Sequence, residues 1–212
     1  MTYDEAFEVA HCPETREAIN KLREKYIRYP ITKSLTAEDA FISNLVLKGR
    51  VLELGCGLGY SSKYFKECGF QVHSWESSRS MMVLAKQING MNVVNMSVSG
   101  LEKISFYDGV FANLSMMNFT KADFEKNLKL IYRSLIPGGI LHLVLKLGDG
   151  ETKDALGQTI TYYQEGEIYQ LFSKTYFMLI ENLKGESINL KGQAEPWIAL
   201  QFAKGSDYGS RL

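Results

Sequence analysis

A chain of 212 residues is long enough for one α/β domain and too short for two. Basic and acidic residues balance at 24 each, so no overall field draws the chain to nucleic acid or to an anionic membrane, and a small-molecule partner is favoured. Apolar residues make up 45%, enough for an ordinary core, and three cysteines (Cys12, Cys56, Cys68) without metal-ligand spacing argue for a reducing compartment and against a metal site.

The chain starts MTYDEAFEVAHCPE, with acids where a signal peptide carries bases and then an apolar run. No apolar stretch is long enough to span a bilayer, so a cytoplasmic location is expected. The spacing of Ile19, Leu22, Tyr26 and Ile27 predicts a helix over Glu14–Tyr29, stopped by Pro30. Thr36 reads as the N-cap of a second helix, Ala37–Leu47, ended by Gly49. These two form an N-terminal helical extension over residues 1–48, a candidate lid on the remainder.

From Val51 short apolar runs alternate with amphipathic helices. The expected strands are Val51–Leu54, Gln71–Trp75, Asn92–Val94, Gly109–Ala112 and Ile140–Leu145. The expected helices between them are Tyr60–Cys68, Ser80–Ile88 and Lys121–Leu135. This alternation predicts a doubly wound, mostly parallel sheet covered on both faces. After Leu147 a Gly- and Asp-rich loop leads to a helix at Glu165–Phe172, then to strands at Tyr176–Leu183 and Pro196–Ala203. Two strands joined without a helix should pair antiparallel at the sheet's end, giving seven strands in one domain.

The stretch most informative about chemistry is Val51-Leu-Glu-Leu-Gly-Cys-Gly-Leu-Gly59. Glycines 55, 57 and 59 at a strand-to-helix turn bend the backbone sharply and let a ligand approach the main chain. A dinucleotide fingerprint needs its third glycine at position 60, which is Tyr60, so a nicotinamide oxidoreductase is disfavoured. Glu53, two residues before Gly55, suits a cationic ligand. The next strand ends in Trp75-Glu76, about 20 residues on, where a carboxylate accepts hydrogen bonds from ribose hydroxyls. His73 and His142 fall inside strands and read as core groups; His11 remains as an acid/base candidate in the extension.

These residues resemble class I (Rossmann-like) S-adenosylmethionine-dependent methyltransferases. Val51–Gly59 is similar to the family's E/D-x-G-x-G-x-G motif, Trp75–Met82 to its acidic ribose motif, Tyr107–Asn118 to its fourth-strand motif and Ser134–Leu141 to its "L.PGG.L" turn. A small bacterial subgroup, mostly without assigned substrates, resembles the chain further at Lys146–Glu151, Tyr162–Glu165 and Glu195–Leu200. The resemblance implies S-adenosyl-L-methionine as cofactor, S-adenosyl-L-homocysteine as product, and cofactor contacts from Glu53, Gly55, Cys56, Gly57, Gly59, Glu76, Ser77, Met81, Ser99, Leu101 and Asn113. Acceptor-side candidates are Ser115, Asn118, Lys146, Tyr162 and Tyr163, joined by Tyr3 and Tyr29 if the extension folds over as a lid. The chain departs from the family pattern at Ser99, where relatives often carry an acid, at Asn118, where many carry a histidine, and at Gln158, where an arginine is common. The implied function is methyl transfer to a nucleophilic atom of an unidentified small molecule. The alternatives are a non-catalytic cofactor-binding or partner-regulating module and, ranked lower, a nucleic-acid methyltransferase.

Overall fold

The apolar positions of the chain sort onto one central sheet with helices on both faces. The computed structural model describes residues 37–46, 48–153, 159–188 and 193–205. The expected helix over Glu14–Tyr29, with Tyr3, His11, Cys12, Tyr29, Thr36 and Gln158, lies outside the described residues. Helix α1 (Ala37–Ser43) stops short of the expected Leu47. Its end tightens into i→i−3 bonds, Asn44 N–H to Phe41 O at 3.2 Å and Leu45 N–H to Ile42 O at 3.1 Å.

The elements that follow are β1 (Arg50–Leu54), α2 (Tyr60–Glu67), β2 (Gln71–Glu76), α3 (Arg79–Asn89), β3 (Val93–Asn95), β4 (Tyr107–Asn113), α4 (Lys121–Ser134) and β5 (Leu135–Lys146). Then come a short pair, β6 (Glu151–Lys153) and β7 (Thr159–Thr161), helix α5 (Glu165–Ser173), and the long strands β8 (Phe177–Ile188) and β9 (Ala194–Lys204). The main sheet has seven strands in the order β3-β2-β1-β4-β5-β9-β8. Strands β1 to β5 run parallel, while β9 lies antiparallel to both β5 and β8. This is the expected α/β architecture. The pair β6–β7 forms a separate antiparallel ribbon that the sequence reading treats as loop. Its strands, Glu-Thr-Lys and Thr-Ile-Thr, are too short and too polar to show an apolar period.

Strand β1 explains how the layers form. Leu52 and Leu54 enter one core with Phe124, Leu128 and Ile131 of α4 and Ile168 and Phe172 of α5. Val51 points the other way, into a core with Phe41 of α1 and Phe65 of α2. Period-two alternation with both sides apolar is what a strand covered on both faces requires. Glu53 shares the Val51 side, so an acid is buried beneath α2, 5% exposed.

The two histidines separate. His142 is a core group, as expected, stacked on Phe111 with centroids 4.5 Å apart, and burial pushes its pKa down to about 4. His73 corrects the expectation. It lies at the exposed amino end of β2, its Nδ1 is 2.9 Å from the Tyr107 hydroxyl, and it stacks on Phe106.

Candidate functional site

The chain leaves β1 for β2 and β3 and then returns to β4 on the other side of β1. That reversal opens a crevice at the carboxyl ends of β1 and β4, where doubly wound sheets hold ligands. A shallow cleft lies there, lined by Leu54, Gly55, Ser77, Met96, Ser97, Val98, Ser115, Met116 and Phe119.

Hydrogen bonds tie the glycine loop to β2. Gly55 N–H and Cys56 N–H both donate to the Trp75 carbonyl, at 2.8 and 3.0 Å. Gly55 has φ 68°, and a Cβ on it would stand 2.5 Å from the Ser115 Cβ, so glycine is required there for packing as well as for backbone shape. Gly57, at φ 54°, differs: a Cβ there would meet only the Met81 Cε, at 3.7 Å. Its free side is the approach a ligand needs.

Glu76 ends β2 at 8% exposure with both oxygens engaged by backbone. Gly57 N–H donates to Oε2 at 2.9 Å and Ser78 N–H to Oε1 at 2.8 Å. Each oxygen retains a lone pair, so the carboxylate is held in place and still able to accept two hydroxyls. Asn95, the last residue of β3, fixes the same corner by donating its amide to the carbonyls of Glu76 and Ser77, at 2.8 and 2.9 Å.

Glu53 faces Ser62 rather than the cleft lining. Ser62 Oγ donates to its Oε2 and stands 2.6 Å from Ser74 Oγ. Burial, only partly offset by the Ser62 bond and reinforced by the charges of Glu38 and Glu76, pushes its pKa up to about 8. Cys56 is buried; desolvation, then the charges of Glu53 and Glu76, hold its thiol far above the ordinary range, so it is a spacer and not a nucleophile.

The remaining candidates scatter. Gly59 caps α2 at φ 80°. Met81 stands beside Gly57. Leu101 is in the core at 3% exposure, and the Ser99 hydroxyl turns to Ser97 Oγ at 2.6 Å. Asn113 is exposed at the end of β4, followed by Leu114 in the left-handed region at φ 57°, a strained position for a branched residue. That turn presents Ser115, whose Oγ is buried without a partner, while Asn118 is exposed outside the lining. Tyr163 is drawn into the core against Phe124, and burial raises its pKa. Lys146 and Tyr162 meet at a residue the sequence did not single out: Lys146 Nζ donates to Glu195 Oε2 at 2.5 Å, and Tyr162 OH to Glu195 Oε1 at 3.2 Å. Burial and the neighbouring Glu195 charge raise the Tyr162 pKa.

Sequence reasoning also missed Leu54, Met96, Ser97, Val98, Met116 and Phe119 in the lining. The available signal was Asn95: a short strand ending in an amide side chain marks the turn that follows as part of the same edge. Among the described residues no three His, Cys, Asp or Glu converge as a metal site, and no helix is long and apolar enough to cross a membrane.

Residues 51–139 match the family described as "Methyltransferase domain". YqeM of Bacillus subtilis strain 168, whose name classes it as a candidate methyltransferase, is 31% identical over 106 residues, which are 47% of this chain and 43% of that relative. The chain thus spans less than half of the curated relative it matches. Among solved structures, the 1,6-didemethyltoxoflavin-N1-methyltransferase of Burkholderia thailandensis, bound to 1,6-didemethyltoxoflavin and S-adenosylhomocysteine, superposes with TM-score 0.66 at 19% identity, covering 80% of this chain and 77% of that one. A SAM-dependent methyltransferase of Methanosarcina mazei superposes with TM-score 0.67 at 16% identity, covering 77% and 95%. Residues 51–139 thus match a methyltransferase domain, and the chain shares the fold of these S-adenosylmethionine-dependent methyltransferases.

Proposed function

We propose that this protein transfers a methyl group from S-adenosyl-L-methionine to a nucleophilic atom of a small-molecule acceptor. The observation that carries the reading is the corner formed by Glu76, Gly57 and Ser78. There a buried carboxylate with two unused lone pairs faces a glycine loop whose Gly57 side is open. The residues fit a nucleoside with a cationic tail: Glu76 takes the ribose hydroxyls, Gly55 and Gly57 allow close approach, and Ser77, Ser97 and Val98 border the base. When bound, S-adenosylmethionine supplies a methyl group already activated on a sulfonium. The protein's own work is then to orient the two reactants and exclude water. Apart from Glu76 at its corner, the site has no ionisable side chain in its lining, which suits that division of labour. The Burkholderia thailandensis neighbour, solved with a small acceptor and S-adenosylhomocysteine, and the even balance of charge support a small-molecule acceptor over nucleic acid.

The test is calorimetric titration with S-adenosylmethionine and S-adenosylhomocysteine, with NAD as control. Micromolar binding of the first two is expected, together with no binding of NAD. Glu76→Ala removes two charge-assisted hydrogen bonds of roughly 1.5–3 kcal/mol each, so a loss of about a hundredfold or more in affinity follows. Equal affinity in parent and variant sinks the assignment of Glu76. Cofactor binding with no transfer to any acceptor favours instead a non-catalytic, partner-regulating module on this fold, a reading in keeping with the exposure of Asn118 away from the lining.

A further inference from the structure

The cleft lining holds one buried hydroxyl that the described residues leave without a partner. Ser115 follows the end of β4 by two residues and lines the cleft beside Leu54 and Gly55, and its Oγ is buried with no hydrogen bond. Leu114, in the left-handed region at φ 57°, turns it there. Its Cβ is set so close to Gly55 that any side chain on that glycine would strike it. A strained branched residue and an unmet buried hydroxyl each cost stability, and both fall on one side chain at the ligand edge. The other hydroxyls of the lining differ. Ser97 Oγ is 2.6 Å from Ser99 Oγ, and Ser77 belongs to the Glu76 corner on the other side of β1, where Asn95 holds its carbonyl.

The sheet order says what this hydroxyl faces. A nucleoside whose ribose meets Glu76 at the end of β2, with its base toward Ser97 and Val98 after β3, sends its 5′ arm the other way. In the order β3-β2-β1-β4, that arm crosses the end of β1 and arrives at β4. The sulfur and its positive charge ride on it. Among the described residues no ionised acid of the site is free to meet that charge. Glu76 is bonded to Gly57 and Ser78 and takes the ribose. Glu53 is turned to Ser62, and burial pushes its pKa up to about 8, so it is uncharged at neutral pH. Ser115 stands where the arm arrives, and one torsion swings its Oγ from beside Gly55 into the cleft. A hydroxyl oxygen with no bond made keeps both lone pairs, and its dipole gains from a cation and next to nothing from a neutral thioether. We propose that Ser115 is a specificity-determining residue whose hydroxyl oxygen contacts the sulfonium, so that the cleft favours S-adenosylmethionine over its demethylated product. The proposal rests on the methyl-transfer reading above. It gives the orphaned hydroxyl a partner while the methyl group is still on sulfur, and loosens the product once the charge is gone.

Calorimetry on the full chain tests this with Ser115→Ala and Ser115→Cys. Both keep the Cβ that packs on Gly55; the first has no acceptor and the second only a weak one. The probes are S-adenosylmethionine, sinefungin (an ammonium in place of the methylsulfonium), S-adenosylhomocysteine, and methylthioadenosine, which lacks the amino-acid arm. Both variants are expected to bind S-adenosylmethionine about fivefold more weakly than the parent, and sinefungin, whose ammonium donates a hydrogen bond, about tenfold more weakly. The two neutral probes should stay within about twofold of the parent, because no charge faces the hydroxyl in them. Thermal melts without ligand should match or exceed the parent, since the hydroxyl removed has no partner to lose. Cationic probes bound as tightly by the variants as by the parent would make Ser115 a packing residue. Equal weakening of S-adenosylmethionine and S-adenosylhomocysteine would put the hydroxyl on the amino-acid arm, and weakening of all four probes would put it on the nucleoside. Each of these results overturns the proposal and leaves the methyl-transfer reading standing. Failure of the parent to bind both S-adenosylmethionine and S-adenosylhomocysteine overturns the two together.

Discussion

Replacing Glu53 with glutamine tests the electrostatics of the glycine-loop strand directly. The carboxyl is 5% exposed beneath α2 and titrates near 8 in the folded chain against an ordinary 4.5. Because the folded pKa is raised, the folded state holds the proton over a range in which the unfolded chain has lost it. The stability this group contributes is therefore complete below about pH 4.5 and is lost progressively as pH rises to about 8. A proton held by only one state is worth about 1.4 kcal/mol per pH unit, so between about pH 5.5 and about pH 7.5 the parent should lose roughly 2 to 3 kcal/mol that Glu53→Gln does not lose. Other groups titrate too. His142, pushed down to about 4, works in the opposite sense, but it is common to both proteins and cancels in the difference. Urea denaturation of parent and variant at the two pH values supplies that difference. Parallel unfolding free energies across the range would refute the claim that Glu53 is buried as a neutral acid.

The same reasoning yields further expectations. His142→Phe removes two ring nitrogens that have no hydrogen-bond partner and keeps the stack on Phe111; thermal melts should show it losing less stability than the parent on acidification from about pH 7 to about pH 5, and an equal loss would place the histidine in a wetter site. Gly55→Ala drives a Cβ to 2.5 Å from that of Ser115 and should cost about 2 kcal/mol or more of folding stability. Gly57→Ala has room apart from Met81 and should cost about 1 kcal/mol for its positive φ, yet abolish S-adenosylmethionine binding in calorimetry; intact binding would move the ligand away from this glycine. Asn95→Ala frees the carbonyls of Glu76 and Ser77 and should weaken cofactor binding by about tenfold while leaving the melt within a few degrees, an outcome that a purely structural role for Asn95 would reverse.

Much of this molecule is legible in the order of its residues. The run from Val51 to Gly59, the acid at the end of β2 and the apolar alternation of β1, β4 and β5 depend on neighbours a few positions apart, and they identify the fold, the glycine loop and Glu76 without any structure. Local pattern has no power over contacts made at long range. Lys146 and Glu195 are 49 residues apart and meet only because β9 inserts between β5 and β8. The Ser115 hydroxyl is orphaned only because Leu114 turns the chain against Gly55. His73 and His142 both sit in strands, but one stands at the exposed amino end of the sheet and the other beneath α1; which of them is dry is decided by what packs over the strand, and period two carries no record of that.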